Sequence, residues 1–173
     1  MEAPLPDIGD HRIERMGQYI LERSQFLPIS LEEAWNFFSS PRNLAVITPP
    51  EMGFIIREPF DDKPTYTGQR ITYTVKPMLG IPLTWVTLIE QVDTPHRFVD
   101  TQITGPYKRW WHLHTFEAVE GGVMMRDRVE YELPLGPLGV LAHGIFVRQK
   151  LKDIFDFRST TLESYFRDRI GTV

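Results

Sequence analysis

The sequence predicts an α+β domain in which a curved antiparallel sheet is covered by one long C-terminal helix, with two short helices after the first strand. Three observations predict it. Between about residues 54 and 133 the chain breaks into segments rich in Thr, Val, Tyr and Trp, the residues that suit a pleated, half-buried surface. From about Leu138 the apolar period changes to a spacing of three and four and holds for seven turns. An antiparallel meander buries one face, and that terminal helix is the element long enough to cover it.

The elements follow in order. Residues 1 to about 16 read as a flexible tail, polar and proline-bearing, ahead of a single domain over 17–173. Gln18 to Leu27 reads as the first strand, with Ile20, Glu22, Ser24 and Phe26 alternating against Tyr19, Leu21, Arg23 and Gln25. Ser30 followed by Glu33 is a capping-box pattern, and Leu31, Ala34, Trp35 and Phe38 then recur at helical spacing. Ser40-Pro41 starts a second short helix, which Pro49-Pro50 stops. Strands are expected over 54–58, 69–75, 83–92, 97–103, 107–119 and 123–133, with Gly121-Gly122 as a tight hairpin turn. Val140, Gly144, Val147, Leu151, Ile154, Arg158, Leu162 and Tyr165 mark the stripe of a helix of about 28 residues, about 42 Å long. Gly139 and Gly144 weaken this helix, so room for a ligand or close packing is expected at them.

Composition excludes several function classes. The absence of cysteine removes disulfides, thiolate metal sites and cysteine nucleophiles. A formal charge of −4 lacks the basic footprint of a nucleic-acid binder, and Lys108-Arg109 reads as a solvated strand face. The acidic, proline-bearing N-terminus does not read as a signal peptide, and no apolar run approaches the ~18 residues of a membrane span. A cytoplasmic protein without stable membrane insertion, a monomer or homodimer, is expected. No Gly-rich phosphate loop, nucleophile elbow or His-Glu-X-X-His is present, and no cofactor or metal is expected.

Several segments then carry a resemblance: Asn43-Leu44 with Thr48-Pro49-Pro50; Phe98, Asp100 and Gln102 leading into Gly105-Pro106-Tyr107; Trp110, His112, His114 and Phe116 at every second position; Asp127, Val129 and Tyr131 before Leu133-Pro134; and Phe155-Asp156-Phe157-Arg158. Their order resembles the SRPBCC, or START-like, superfamily of helix-grip proteins, which includes polyketide cyclases and birch-pollen-allergen-like proteins. It is closest to bacterial ligand-binding members labelled cell-division-inhibitor-like. The resemblance covers residues 18 to about 166. It implies a cavity between sheet and helix for a hydrophobic or amphipathic molecule.

The candidate site residues follow from strand parity and from that resemblance. Trp110, His112, His114 and Phe116 share one strand face, and the resemblance turns that face inward. Asp127 shares a largely apolar face with Val129 and Tyr131 and therefore needs a partner, with His112 or His114 as the structural choice and an acid/base dyad as the functional one. A metal at the two histidines would need a third ligand, which Asp100 or Asp127 could supply. Arg158 interrupts the apolar helix stripe; it either snorkels to a pocket rim or pairs with Asp127, Asp100 or a ligand carboxylate. Tyr73, Trp85, Gln102, Tyr131 and Leu151 complete the expected ligand-binding wall. The first functional reading is a non-catalytic binder of a lipid-like, aromatic or isoprenoid-like molecule. The alternatives are a polyketide cyclase or dehydratase using a His/Asp pair, and a protein-interaction module with a vestigial pocket.

Overall fold

The computed structural model describes residues 11–15, 17–59, 61–77 and 80–170. Eight strands form one antiparallel sheet: β1 (His11–Arg15), β2 (Gln18–Leu27), β3 (Ile55–Ile56), β4 (Arg70–Val75), β5 (Leu83–Asp93), β6 (Arg97–Thr104), β7 (Arg109–Val119) and β8 (Gly122–Glu132). Their order across the sheet is β1-β2-β8-β7-β6-β5-β4-β3, so the N-terminal hairpin joins the last strand of the meander. Register shifts in β5, between Val86 and Thr87 and between Ile89 and Gln91, mark bulges that bend the sheet.

The N-terminal expectation needs correction. His11–Arg15 is a strand paired with β2, so the expected tail does not extend to residue 16; residues 1–10 lie outside the described residues. Gln18–Leu27 is thus the second strand. The strand expected over 54–58 shrinks to Ile55–Ile56. The β7–β8 turn is Glu120-Gly121, one residue earlier than expected. Gly121 carries the turn's positive φ of 80°, and Gly122 already pairs with Val119 in the ladder. A Cβ on Gly122 would meet the Leu27 carbonyl oxygen at 2.2 Å, so that glycine serves the close approach of β2.

Helix α1 (Leu31–Phe38) carries the expected capping box: the Glu33 backbone N–H donates to Ser30 Oγ, and the Ser30 backbone N–H donates to the Glu33 carboxylate. The second short helix is a 3₁₀ turn, Pro41–Ala45, and its Ser40 makes no side-chain cap. Pro50, expected to end that region, instead opens another 3₁₀ turn, Pro50–Met52. α1 seats Trp35 edge-on to Phe98 and Phe116, while Phe37 packs on Phe166 of the terminal helix.

The long helix is continuous but not uniform. α2 (Pro137–Ala142) runs through a π turn, His143–Val147, into α3 (Arg148–Ile170). Beyond the π turn the buried positions are Leu151, Phe155, Arg158, Leu162 and Phe166. Val140 and Gly144, expected on the stripe, are exposed, because the π turn adds a residue and shifts the phase. Gly139 is needed for close packing, since a Cβ there would meet the Pro134 carbonyl oxygen at 2.2 Å; Gly144 faces open space. No helix among the described residues is long and apolar enough to cross a membrane.

Candidate functional site

Two apolar clusters hold the helix against the sheet, centred on Phe116 with Leu162 and on Tyr131 with Leu151, and a third, centred on Tyr73 with Ile89, lies on β4 and β5. They bound a cavity of about 580 Å³. Its wall is mostly apolar, and residues that both line it and stand exposed, namely Ile81, Leu135, Leu138 and Phe146, mark its mouth. The 3₁₀ turns after α1 close one side with Leu44, Ile47 and Met52, a contribution the sequence reading missed because short turns lack a long period.

Of the expected wall residues, Tyr73, Trp85, Asp100, Trp110, His112, His114, Leu151 and Arg158 line this cavity. Four do not. Gln102 is held by Tyr107: its amide donates to the Tyr107 carbonyl oxygen at 2.7 Å, and its oxygen accepts the Tyr107 N–H at 3.2 Å. Phe116 is packed in the core against Trp35 and Phe38. Tyr131 is drawn to His143, with its hydroxyl 2.8 Å from Nε2. Asp127 lies behind the imidazoles, away from the main cavity, and reaches a small cleft lined by Arg23, Gln25 and Ser159.

The polar cluster is assembled by register. Asp100 on β6 faces His112 across the ladder, and His114 faces Asp127 on β8. Both imidazoles are therefore flanked by a carboxylate on each side. Asp100 Oδ2 lies 2.8 Å from His114 Nε2 and 3.5 Å from His112 Nδ1. Asp127 Oδ1 lies 3.0 Å from His112 Nε2 and 2.9 Å from His114 Nδ1, although the latter contact lacks hydrogen-bond geometry. The two rings sit 3.8 Å apart between centroids. Arg158 brings a guanidinium nitrogen 3.8 Å from Asp127 and lies over the Phe38 and Phe155 rings. It is buried, so the pairing alternative describes it rather than snorkelling.

Charge settles within this group. Burial raises the Asp127 carboxyl, but Arg158 and the two imidazoles hold it well below the usual carboxylate range. Asp100 is likewise lowered: His112 and His114 outweigh its burial. Burial alone would lower His114, yet the two carboxylates leave it more basic than usual. Burial and the neighbouring His114 make His112 less basic. Both carboxylates are thus held ionised beside Arg158, and a proton on the pair favours His114 over His112.

A third buried histidine, His143, escaped the sequence reading. His143 stacks on Tyr19 with centroids 3.4 Å apart and pins the start of the terminal helix to the sheet. The stripe read through Val140 and Gly144 runs one residue out of phase with His143. Burial, aided by Arg148, lowers its pKa to about 4. The unfolded chain's histidine titrates near 6.5. The folded state therefore binds this proton less readily, and its contribution is full above about pH 6.5 and is lost as the pH falls toward 4. The expected loss is on the order of 2 kcal/mol. Urea unfolding at pH 7 and pH 4.5 should show it in the wild type and much less of it in His143→Gln; equal pH dependence in both would refute the assignment.

No protein-family model matches the sequence, and no curated protein matches it. Solved structures match the architecture. Over 90% of this chain and 53% of the other, the structure is similar to the di-domain ARO/CYC StfQ from the steffimycin biosynthetic pathway, with a TM-score of 0.67 and 14% identity. Protein Ms6760 from Mycobacterium smegmatis matches over 90% of this chain and 96% of its own at a TM-score of 0.61 and 18% identity. The chain has the helix-grip fold. Ara h 8.0201 also matches, over 86% of this chain and 99% of its own, at a TM-score of 0.54 and 15% identity. At these identities the likeness establishes the helix grip and leaves the site to be read from its own residues.

Proposed function

We propose that this helix-grip domain binds a hydrophobic or amphipathic small molecule, lipid-like, aromatic or isoprenoid-like, in the cavity between sheet and terminal helix. The observation that carries the reading is the cavity itself: about 580 Å³, walled by apolar side chains, with Asp100, His112, His114 and Arg158 at one place on the wall. This volume and lining are those of small-molecule sites. A space that size is at odds with a vestigial, side-chain-filled interior.

Non-catalytic binding is favoured over acid/base chemistry by the hydrogen bonding. His112 Nε2 and His114 Nε2 are hydrogen-bonded to Asp127 and Asp100 at 3.0 and 2.8 Å, and the other two ring nitrogens lie 3.5 and 2.9 Å from a carboxylate oxygen. The histidines are thus engaged with Asp100 and Asp127 before any ligand enters. A polar ligand group would meet a preorganised patch.

Two measurements test the proposal. Native mass spectrometry should find a small molecule with the protein purified from its source. The amphipathic aromatic anion anilinonaphthalene sulfonate should bind the ligand-free protein one to one. Ile154→Trp, which puts an indole into the cavity from α3, should weaken that binding at least tenfold, about 1.4 kcal/mol. Binding unchanged by the tryptophan, in a variant that melts normally, would refute the cavity as the site.

A further inference from the structure

The polar cluster has a geometry that carbon-bound ligands alone do not explain. One side of the imidazole pair faces the cavity and the other faces Asp127. On the cavity side, ligand atoms of Asp100, His112 and His114 all lie within 4.8 Å of one another. Asp100 Oδ2 is 2.8 Å from His114 Nε2 and 3.5 Å from His112 Nδ1. On the far side, Asp127 Oδ1 is within reach of the remaining nitrogen of each ring, at 3.0 Å and 2.9 Å.

That arrangement orients lone pairs. When His112 donates its Nε2 proton to Asp127, its Nδ1 presents a lone pair toward Asp100, whose carboxylate offers only lone pairs of its own. Two acceptors then face each other at 3.5 Å, a spacing that a cation between them satisfies. His114 differs: its Nε2 is hydrogen-bonded to Asp100 at 2.8 Å, so an ion there takes the place of that proton, which Nδ1, 2.9 Å from Asp127, can carry instead. Zinc binds nitrogen and oxygen at about 2.0–2.2 Å, which at tetrahedral angles separates neighbouring ligand atoms by about 3.3–3.5 Å. The His112 Nδ1 to Asp100 distance of 3.5 Å is at that spacing already, and the 2.8 Å His114 contact opens by about half an ångström to reach it.

We propose that His112 Nδ1, His114 Nε2 and Asp100 Oδ2 bind one divalent transition-metal ion at the cavity wall, with Asp127 accepting the outer N–H of His112 and lying beside the outer nitrogen of His114. Two imidazoles and one carboxylate suit Zn²⁺ or Fe²⁺ and disfavour Mg²⁺ and Ca²⁺, which take oxygen ligands. Asp127 is the outer-sphere carboxylate that fixes the tautomer and orientation of a metal-bound histidine, and Arg158 holds Asp127 in turn. With both histidines neutral, Asp100, Asp127 and Arg158 leave one net negative charge, and a divalent ion reverses it to one positive. The ion's open positions face the apolar cavity, where they would take a carbonyl, enolate or phenolate oxygen of a ligand. The ion site does not rest on the ligand proposal, because it is tested in ligand-free protein.

The test uses the untagged full chain, freed of metal with a chelator and titrated with Co²⁺. One Co²⁺ per chain should bind with visible ligand-field bands, and one equivalent of Zn²⁺ should abolish them. The bound form should show two exchangeable imidazole N–H resonances with large paramagnetic shifts, one from each ring. Asp100→Asn should weaken Co²⁺ binding at least about tenfold, and His96→Gln, an exposed histidine elsewhere, should leave it unchanged. Absence of one-to-one binding by the folded wild type, absence of the two shifted resonances, or loss of binding with His96 rather than Asp100 would overturn the proposal.

Discussion

Replacing Asp127 by alanine is expected to destabilise the fold by about 3–5 kcal/mol, the range for breaking a buried ion pair from one side. The carboxylate is about 6% exposed and lies against both imidazoles and Arg158. Its removal leaves the Arg158 guanidinium buried beside the imidazoles with Asp100 alone to balance it. Urea unfolding at pH 7 measures the cost. Adding Arg158→Met to the alanine variant should restore part of the loss, because the unpaired cation goes with it. A single-variant loss below about 1 kcal/mol would show that the cluster is solvated enough to tolerate the missing charge.

Phe116→Ala should lose about 3–5 kcal/mol for a different reason. Its ring is 2% exposed and joins Trp35 and Phe38 of α1 to Phe98 of β6. The deletion leaves a void among side chains from three elements that cannot all collapse into it. Ligand binding is expected to persist in the surviving folded fraction, since Phe116 lies outside the cavity wall. Denaturation paired with anilinonaphthalene sulfonate titration separates the two effects. A large fall in probe affinity with little change in stability would place this ring at the cavity instead.

The contrast between Phe116 and Trp110 shows what was legible in the sequence. Alternation put Trp110, His112, His114 and Phe116 on one strand face, and the resemblance turned that face inward, as the burial of β7 bears out. Parity identifies a face but carries no information about position along the strand. Phe116 lies where α1 covers the sheet, whereas Trp110 and the histidines lie where the helix stands off it. Tyr131 misled for the same reason: its face was correct, and His143 claimed its hydroxyl. Asp127 was read as needing a partner because it interrupts an apolar row, and its partners are the two histidines named for it. Gln102 was lost to a local contact with Tyr107 that no periodicity encodes. The edge strand His11–Arg15 escaped because its short polar segment presents little apolar alternation.

The π turn gives the terminal helix a phase correction. Gly139, His143, Val147 and Leu151 face the sheet at intervals of four residues, while an α-helix repeats every 3.6. Each interval of four overshoots by about 40°, so three of them amount to about a third of a revolution. The extra residue in His143–Val147 absorbs that drift and keeps Leu151, Phe155 and Arg158 aimed inward while Leu138 and Phe146 stay at the mouth. The helix is therefore two differently timed halves on one axis. A one-residue deletion in the turn would swing the entrance by about 100° relative to the half that carries Arg158. The mouth and the polar wall of this cavity can change independently, by counting residues rather than by exchanging them.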